Sequence, residues 1–525
     1  MTPVVDEHRT HEPANALRRR VTRAAMTVGI GLLALALLAP RMTEKGAEMD
    51  EGAVLAYSAL VLEGAVPHRD FETFYGPGNL WIVAGAFEVF GTSITTERAV
   101  GLVYRLLIVF SVVSLGWRLA GAVPGALAGV IAASIAAREV VWAYPTYGAI
   151  GLGLLSLALA LFGAGRRPGG ARQALLVAAG AAAGAAVLVR FDFAPAVVLS
   201  ALPLALFVPR SDRWWYAGGF VAVAGLYVPH LVMVGAERIA RVAEDLAATG
   251  EGRSLPIPRP WADPVYLLYP AALATALFVA VGTLLVARKR QVLEPRVLLS
   301  LGLFVVCLFP YALSRADIFH LRPVALVPLS LLPAFAVFSV RTLSSERRVQ
   351  IGSTVLVTLG ATWLLATRGD IQLRRPVEPD RIENAGRTFY VSDRSLAKAV
   401  TAVVHEADRR SRSGDTLYVG PVDLRRMNYG ATYIYFLLPQ LRPASYYMEM
   451  NPLTANREGS GLADELRRAD WLVLTSEWDE WEEPNASVRF GPTDPNEVIR
   501  DFFCLRFRAG SYRLYERCDR RSAAV

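Results

Sequence analysis

Stretches of about twenty apolar residues recur along most of the chain, and no other feature restricts its fold so severely. Crossing about 30 Å of hydrocarbon at 1.5 Å per residue takes roughly 17–25 residues. Within lipid, a helix is the simplest element that satisfies its own backbone amides and carbonyls. About eleven runs have that length and character: 22–40, 99–117, 121–137, 142–163, 172–189, 191–208, 214–235, 265–287, 297–313, 321–340 and 349–367. Run 121–137 is short and rich in small residues, and the stretch 172–208 is divided only by Arg190 and Asp192. Hydrophobic residues make up 53% of the 525 and charged residues 19%. Soluble domains carry about 25% charge, and their single cores stop growing near roughly 250–300 residues. The surplus therefore belongs in lipid. Low charge excludes disorder, glycines without a period exclude a collagen-like fibre, and 3 cysteines exclude a disulfide scaffold.

Charge then gives direction. Lys and Arg total 55 against 47 Asp and Glu, a net +8. In a membrane chain such basic residues encode orientation rather than binding to nucleic acid. Arg18, Arg19 and Arg20 precede the first run, which no small-x-small site follows, so it is expected to be an anchor with residues 1–21 cytoplasmic. Alternation then places Arg118, Arg166/Arg167/Arg172, Arg210/Arg213, Arg288/Lys289/Arg290/Arg296 and Arg341/Arg347/Arg348 on the inside together, as the positive-inside rule requires. The expected protein is a multi-pass α-helical cell-membrane protein. Its transmembrane domain covers 22–367, including a long outer loop at 41–98. A second outer loop lies at about 236–264, and an extracytoplasmic α/β domain covers 368–525.

The α/β reading of the tail rests on short β-rich runs at Thr416–Val419, Ser445–Met448 and Trp471–Thr475, alternating with helical patterns near 395–409, 429–438 and 459–468. A hairpin follows at Phe502–Phe507 and Tyr512–Arg517, turning near Gly510. It could bring Cys504 against Cys518, where a disulfide and two unpaired thiols are both open readings.

The chain has no phosphate-binding P-loop, dinucleotide fingerprint, zinc-spaced Cys/His cluster or Asp-x-Asp pair. The first outer loop is the informative stretch. It opens Glu48-Met49-Asp50-Glu51-Gly52, continues through a short helical piece at Ala53–Leu62 that contains Tyr57, and reaches Gly64-Ala65-Val66-Pro67. Then come Phe71-Glu72-Thr73-Phe74-Tyr75-Gly76-Pro77-Gly78 and an apolar piece, Asn79–Phe90, too short to span and suited to the interface. Gly91 and Arg98 lead into the second run.

This order resembles the first outer loop of the C-type glycosyltransferases, the polytopic enzymes that include protein O-mannosyltransferases and lipid A aminoarabinose transferases. The matching positions are Asp50 and Glu51, Tyr57, Gly64 with Pro67, Tyr75 with Pro77, Phe90-Gly91, and Arg98. Many relatives carry two prolines in the turn where this chain has Gly76-Pro77-Gly78. The resemblance implies hexosyl or pentosyl transfer from a polyprenyl-phosphate-linked donor to a glycan, lipid or protein acceptor on the outer side.

The residues suit that chemistry. Displacing a lipid phosphate needs a carboxylate to take the acceptor's proton, and Asp50 is placed in that role, with Glu51 or Glu72 as second choices. Cations for the departing phosphate are offered by Arg98, Arg190 and the cluster containing Arg315 and His320, and Tyr75 is expected to contact substrate. No cofactor is specified, and a divalent metal is left open. A transporter or flippase of a lipid-linked or anionic solute, and a non-catalytic glycan-binding assembly protein, are the competing readings. The chain shows no internal repeat of the transporter kind.

Overall fold

The structure is a computed structural model. It describes residues 11–205, 209–256, 293–343, 379–427 and 429–518, with single positions between 344 and 355. Seven helices among the described residues are long and apolar enough to cross a membrane: Val21–Thr43, Ile94–Ala120, Pro145–Ala164, Gly170–Val189, Arg210–Val234, Arg296–Ser314 and Ile318–Arg341. Each coincides with an expected run. Runs 121–137 and 191–208 appear as the shorter apolar helices Ala122–Ala136 and Phe191–Pro203. Run 265–287 lies outside the described residues, as does 349–367 apart from single positions. The chain is a polytopic helical membrane protein with a sheet-containing tail.

In chain order the helices are α1 (His11–Leu38), α2 (Asp50–Leu62), α3 (Pro77–Phe90), α4 (Ile94–Ala120), α5 (Ala122–Ala136), α6 (Pro145–Ala164), α7 (Gly170–Val189), α8 (Ala194–Ala205), α9 (Arg210–Ala224), α10 (Tyr227–Val234), α11 (Ala236–Gly252), α12 (Leu293–Ser314) and α13 (Ile318–Leu343). The loop between the first two spanning helices folds into α2 and α3. Pro77 opens α3, where its missing N–H costs nothing, and the helix leaves Val89 and Phe90 71% and 78% exposed at its end, as an interfacial piece would. Ser93 caps α4 by accepting from the Thr96 amide at 3.1 Å.

The tail carries a hairpin, β1 (Asp380–Asn384) with β2 (Arg387–Val391), and a five-stranded sheet of β3 (Thr416–Pro421), β4 (Arg442–Pro443), β5 (Trp471–Thr475), β6 (Phe503–Ala509) and β7 (Tyr512–Arg517). The sheet order is β4-β3-β5-β7-β6. The β3–β4 and β3–β5 pairs are parallel, and the β5–β7 and β6–β7 pairs antiparallel. The helical patterns appear at Arg394–Arg410, Tyr433–Leu437 and Leu462–Arg468. A disulfide joins Cys504 to Cys518, with their Cα atoms 5.2 Å apart.

One expected strand is absent. Ser445–Met448 does not enter the sheet, whose edge is the two-residue β4 just before it. The reason is competition for its backbone: the Tyr446 carbonyl accepts from the Glu72 amide at 2.8 Å and the Tyr446 amide donates to Glu465 Oε2 at 3.3 Å, while the Tyr446 side-chain hydroxyl donates to the His68 carbonyl at 2.8 Å. The segment closes over the first loop instead.

Loop and tail are packed as one body. The Gly46 amide donates to the Tyr390 carbonyl at 2.8 Å. A Cβ on Gly52 would lie 2.4 Å from the Tyr433 amide nitrogen, so α2 can sit this close to the tail only with glycine there. The segment after α10 joins them, with Gly252 against Pro452 and the Ala486 amide donating to the Gly252 carbonyl at 3.3 Å.

Candidate active site

Asp50 and Glu51 occupy the first turn of α2, where negative charge complements the helix dipole. They are one residue apart, and a helix advances about 100° per residue, so their side chains enter different surroundings. Asp50 faces a cluster of charged side chains drawn from the end of α11 (Arg253), the α12–α13 junction (Arg315, Asp317, His320) and the tail (Glu449). The Tyr75 hydroxyl donates to its Oδ1 at 3.4 Å. Burial pushes the Asp50 carboxyl up, while Arg253, Arg315 and His320 pull it back and Asp317 adds a smaller push.

Opposite Asp50 stands Glu449, which sequence reasoning missed. Burial first, and the Asp50 charge second, push its carboxyl to about 7, although Arg253 and a 3.5 Å hydrogen bond from Asn451 oppose this. Arg253, just beyond α11, donates to Asn451 Oδ1 and faces both acids. Arg315 binds Asp317 (Nε to Oδ2, 2.8 Å) and Glu483 of the tail. Asp317 in turn accepts from the His320 amide and pairs with its ring Nδ1, each at 2.8 Å. Burial alone would raise Asp317, but His320 and Arg315 hold it below the usual carboxylate range.

Arg190 lies on the same side, behind Tyr75. It grips Asp192 with two hydrogen bonds of 3.0 and 2.8 Å and donates to Thr146 Oγ1 at 2.8 Å. Its guanidinium stands 4.4 Å from the centre of the Tyr311 ring, and His320 packs against that ring at 5.0 Å. The turn that carries Tyr75 is pressed onto the end of α7. The Gly76 amide donates to the Val189 carbonyl at 3.2 Å, and a Cβ on Gly76 would meet the Leu188 carbonyl at 2.1 Å. A side chain there would push Tyr75 away from Asp50, which accounts for glycine at this point of the turn.

Glu51 and Arg98 are elsewhere. Both are wholly buried and form a two-armed ion pair, Arg98 Nε to Oε1 at 2.6 Å and Nη2 to Oε2 at 3.0 Å. The remaining arm of Arg98 donates to the Met42 and Glu44 carbonyls, each at 2.8 Å, and Glu51 also accepts from the Ala47 amide at 3.1 Å. This pair ties α4 to the end of the first span. Glu72 is also apart from Asp50. It is buried with neither carboxyl oxygen hydrogen-bonded, and burial, with Asp245 and Glu449 adding to it, holds its carboxyl well above the usual range.

The structure therefore gathers Asp50, Tyr75, Arg315 and His320 with the unforeseen Arg253, Glu449 and Glu483, and leaves Glu51, Arg98 and Glu72 outside that group. Arg253 lies in the loop singled out at 236–264, and Glu449 is the lone acid of the Tyr446-Tyr447-Met448-Glu449-Met450 run. Those were the only signals available. Among the described residues no group of three or more His, Cys, Asp or Glu side chains could hold a metal ion. The chemistry this cluster offers is a half-buried carboxylate with a raised pKa that can take a proton, beside arginines able to stabilise a leaving anion.

No family model matches the chain, and no curated protein matches it in sequence. Solved structures do match in shape. ArnT from Cupriavidus metallidurans bound to undecaprenyl phosphate superposes with a TM-score of 0.54 at 13% identity, over 93% of this chain and 97% of that one. The archaeal oligosaccharyltransferase AglB from Archaeoglobus fulgidus, in complex with an inhibitory peptide and a dolichol-phosphate, gives a TM-score of 0.55 at 11% identity, over 94% of this chain and 74% of that one. The arrangement of spanning helices, first loop and tail thus shares the fold of ArnT and AglB.

Proposed function

We propose that this membrane protein transfers a sugar from a polyprenyl-phosphate carrier to an acceptor hydroxyl, with Asp50 as the general base. The observation that carries the reading is the placement of Asp50: it stands in the first turn of α2 with the Tyr75 hydroxyl on its Oδ1 and with Arg253 and Arg315 close enough to act on its charge. The polyprenyl phosphates held by ArnT and AglB support it by likeness of fold, although a fold alone hosts many functions.

In the reaction, Asp50 takes the proton from the acceptor hydroxyl as its oxygen bonds to the anomeric carbon. The bond from that carbon to the phosphate oxygen breaks, and its electron pair departs with the polyprenyl phosphate. Charge grows on that phosphate, where Arg253 and Arg315, with Arg190 behind Tyr75, lower the barrier because they are already in place. Burial serves the base, since a raised pKa makes Asp50 a stronger proton acceptor. Tyr75 orients the carboxylate through the same oxygen it contacts. Glu51 and Arg98 act at a distance, by fixing the end of α2 on which Asp50 sits.

The donor sugar is a hexose or pentose. The acceptor is a glycan, lipid or protein on the extracytoplasmic face, an orientation supported by the basic loops. Residues 1–21 then form a cytoplasmic tail, 22–367 the transmembrane domain and 368–525 the extracytoplasmic domain. A direct test gives the purified protein a panel of labelled polyprenyl-phospho-sugars with mixed envelope acceptors. Label moving from the lipid to an acceptor, with free polyprenyl phosphate released in equal amount, is the expected result. Label crossing sealed vesicles unchanged would favour a flippase instead.

A further inference from the structure

The tail loop after β5 carries an aromatic group that the proposed reaction does not use. Trp481 is 45% exposed, and one face of its indole is stacked on Tyr429, with ring centres 5.5 Å apart and planes 10° from parallel. Trp478 meets Tyr429 edge-on at 5.2 Å. These rings form a unit that reaches the Asp50 cluster. The Tyr429 hydroxyl lies against the Met49 backbone and is close enough to Asp50 for their charges to interact. Two residues past Trp481, Glu483 binds Arg315.

The unit is held rigidly before any ligand arrives. The Trp481 amide donates to the Trp478 carbonyl at 3.1 Å, closing a turn, and the Ser476 amide donates to the Ser511 carbonyl at 3.2 Å. Arg426 donates to the Asp479 carbonyl, and Asn485 Nδ2 donates to the Arg425 carbonyl at 3.1 Å. A large exposed ring, fixed in place beside the proposed reaction site, binds flat apolar faces at little entropic cost.

The charge around it narrows the ligand. Residues 477–483 contain five acids, Glu477, Asp479, Glu480, Glu482 and Glu483, and no basic residue. An interfacial tryptophan is a common membrane anchor, but such anchors favour basic neighbours near anionic headgroups, and these acids repel them. Arg315 pairs with Glu483, and Arg426 and Arg513 lie near Asp479; the other acids of the loop disfavour a phosphorylated or carboxylated chain while accepting hydrogen bonds from neutral hydroxyls. A sugar ring presents both an apolar face of C–H groups and a rim of hydroxyls.

We propose that Tyr429, Trp478 and Trp481 form a docking platform for the acceptor, and that the acceptor is a neutral glycan chain with a sugar ring stacked on Trp481. This rests on the transferase reading only for the word acceptor.

The full-length protein in nanodiscs is titrated with linear mannotetraose, an arabinan pentasaccharide, chitotetraose and a heparin-derived tetrasaccharide, following tryptophan fluorescence and saturation-transfer NMR. At least one neutral oligosaccharide is expected to bind, to weaken tenfold or more in Trp481→Ala and to be retained by Trp481→Phe. Heparin tetrasaccharide is expected not to bind. No binding by any neutral oligosaccharide, or equal binding by wild type and Trp481→Ala, overturns the platform, as does preferential binding of the anionic chain. Quenching of Trp481 by brominated lipid in the nanodisc identifies a membrane anchor and overturns it too. Sugar binding that persists where no lipid-linked donor is consumed would sink the transferase reading and leave the platform standing. Sugar transfer without Trp481-dependent binding would do the reverse.

Discussion

Asp50 and Glu51 are consecutive acids in one helical turn, one half-buried and one wholly buried, and they show two ways in which this protein holds a carboxylate. Around Glu51 every demand is met: two arms of Arg98 and a backbone amide bind it, while the third arm of Arg98 is spent on two carbonyls. Around Asp50 the demands are left open, with one long hydrogen bond from Tyr75 and arginines that are near but committed to Asn451, Asp317 and Glu483. A saturated ion pair has no capacity left for a substrate. Asp50, with only the Tyr75 contact, keeps acceptor capacity for a group that arrives later, and this separates a joint of the scaffold from the proposed reaction site.

The largest effect is expected at the joint. Glu51→Gln leaves the Arg98 charge buried without its counter-ion, which is expected to cost about 3–5 kcal/mol. Thermal unfolding in detergent should show a large drop in melting temperature. A drop of a degree or less would mean the pair is not what fastens α2 to α4.

Around Asp50 the loss should be catalytic instead. Arg315→Ala removes a cation facing Asp50 and is expected to lower the transfer rate roughly 10²–10³-fold, read as kcat with labelled lipid donor. If only the melting temperature falls, because the Glu483 contact is gone, Arg315 belongs with Arg98 as a fastener.

Glu449 sharpens the contrast through pH. Its carboxyl keeps a proton up to about 7, against an ordinary value of 4.5, so between those limits the folded protein holds a proton that the unfolded chain has released. Stability from this group is present below about 4.5 and is lost as pH rises through 7. Glu449→Gln cannot ionise, so its melting temperature should exceed that of wild type at pH 8 and match it near pH 4. An equal difference at both values would contradict the assignment. The smallest effect is expected from Tyr75→Phe, which deletes one 3.4 Å hydrogen bond. About 0.5–1.5 kcal/mol predicts a rate reduced a few-fold to tenfold, with an unchanged melting temperature.

Much of this was legible in the residues, and the remainder shows why the rest was not. The spanning helices announce themselves because lipid demands long uninterrupted apolar runs. Asp50 could be placed because the order of its loop is local. The sequence ranks Asp50 above Glu51 without a physical reason, since adjacent acids carry the same chemistry and only the packing of α2 sends Glu51 to Arg98 and Asp50 towards Arg253 and Arg315. Arg253 and Glu449 come from positions about 200 and 400 residues away, and their meeting is purely tertiary. Tyr446-Tyr447 reads as a strand because aromatic residues favour one, yet hydrogen bonds to Glu72 and Glu465 take up the Tyr446 backbone.

The central claim is that Asp50, and not Glu51, is the base of a sugar transfer from a lipid phosphate. Single-turnover transfer from a labelled polyprenyl-phospho-sugar, normalised to folded protein, measures it in Asp50→Asn and Glu51→Gln side by side. Asp50→Asn is expected to lose about 10²–10⁴-fold at an unchanged melting temperature, while the folded fraction of Glu51→Gln transfers within about tenfold of wild type. Transfer at the wild-type rate by well-folded Asp50→Asn would contradict the claim.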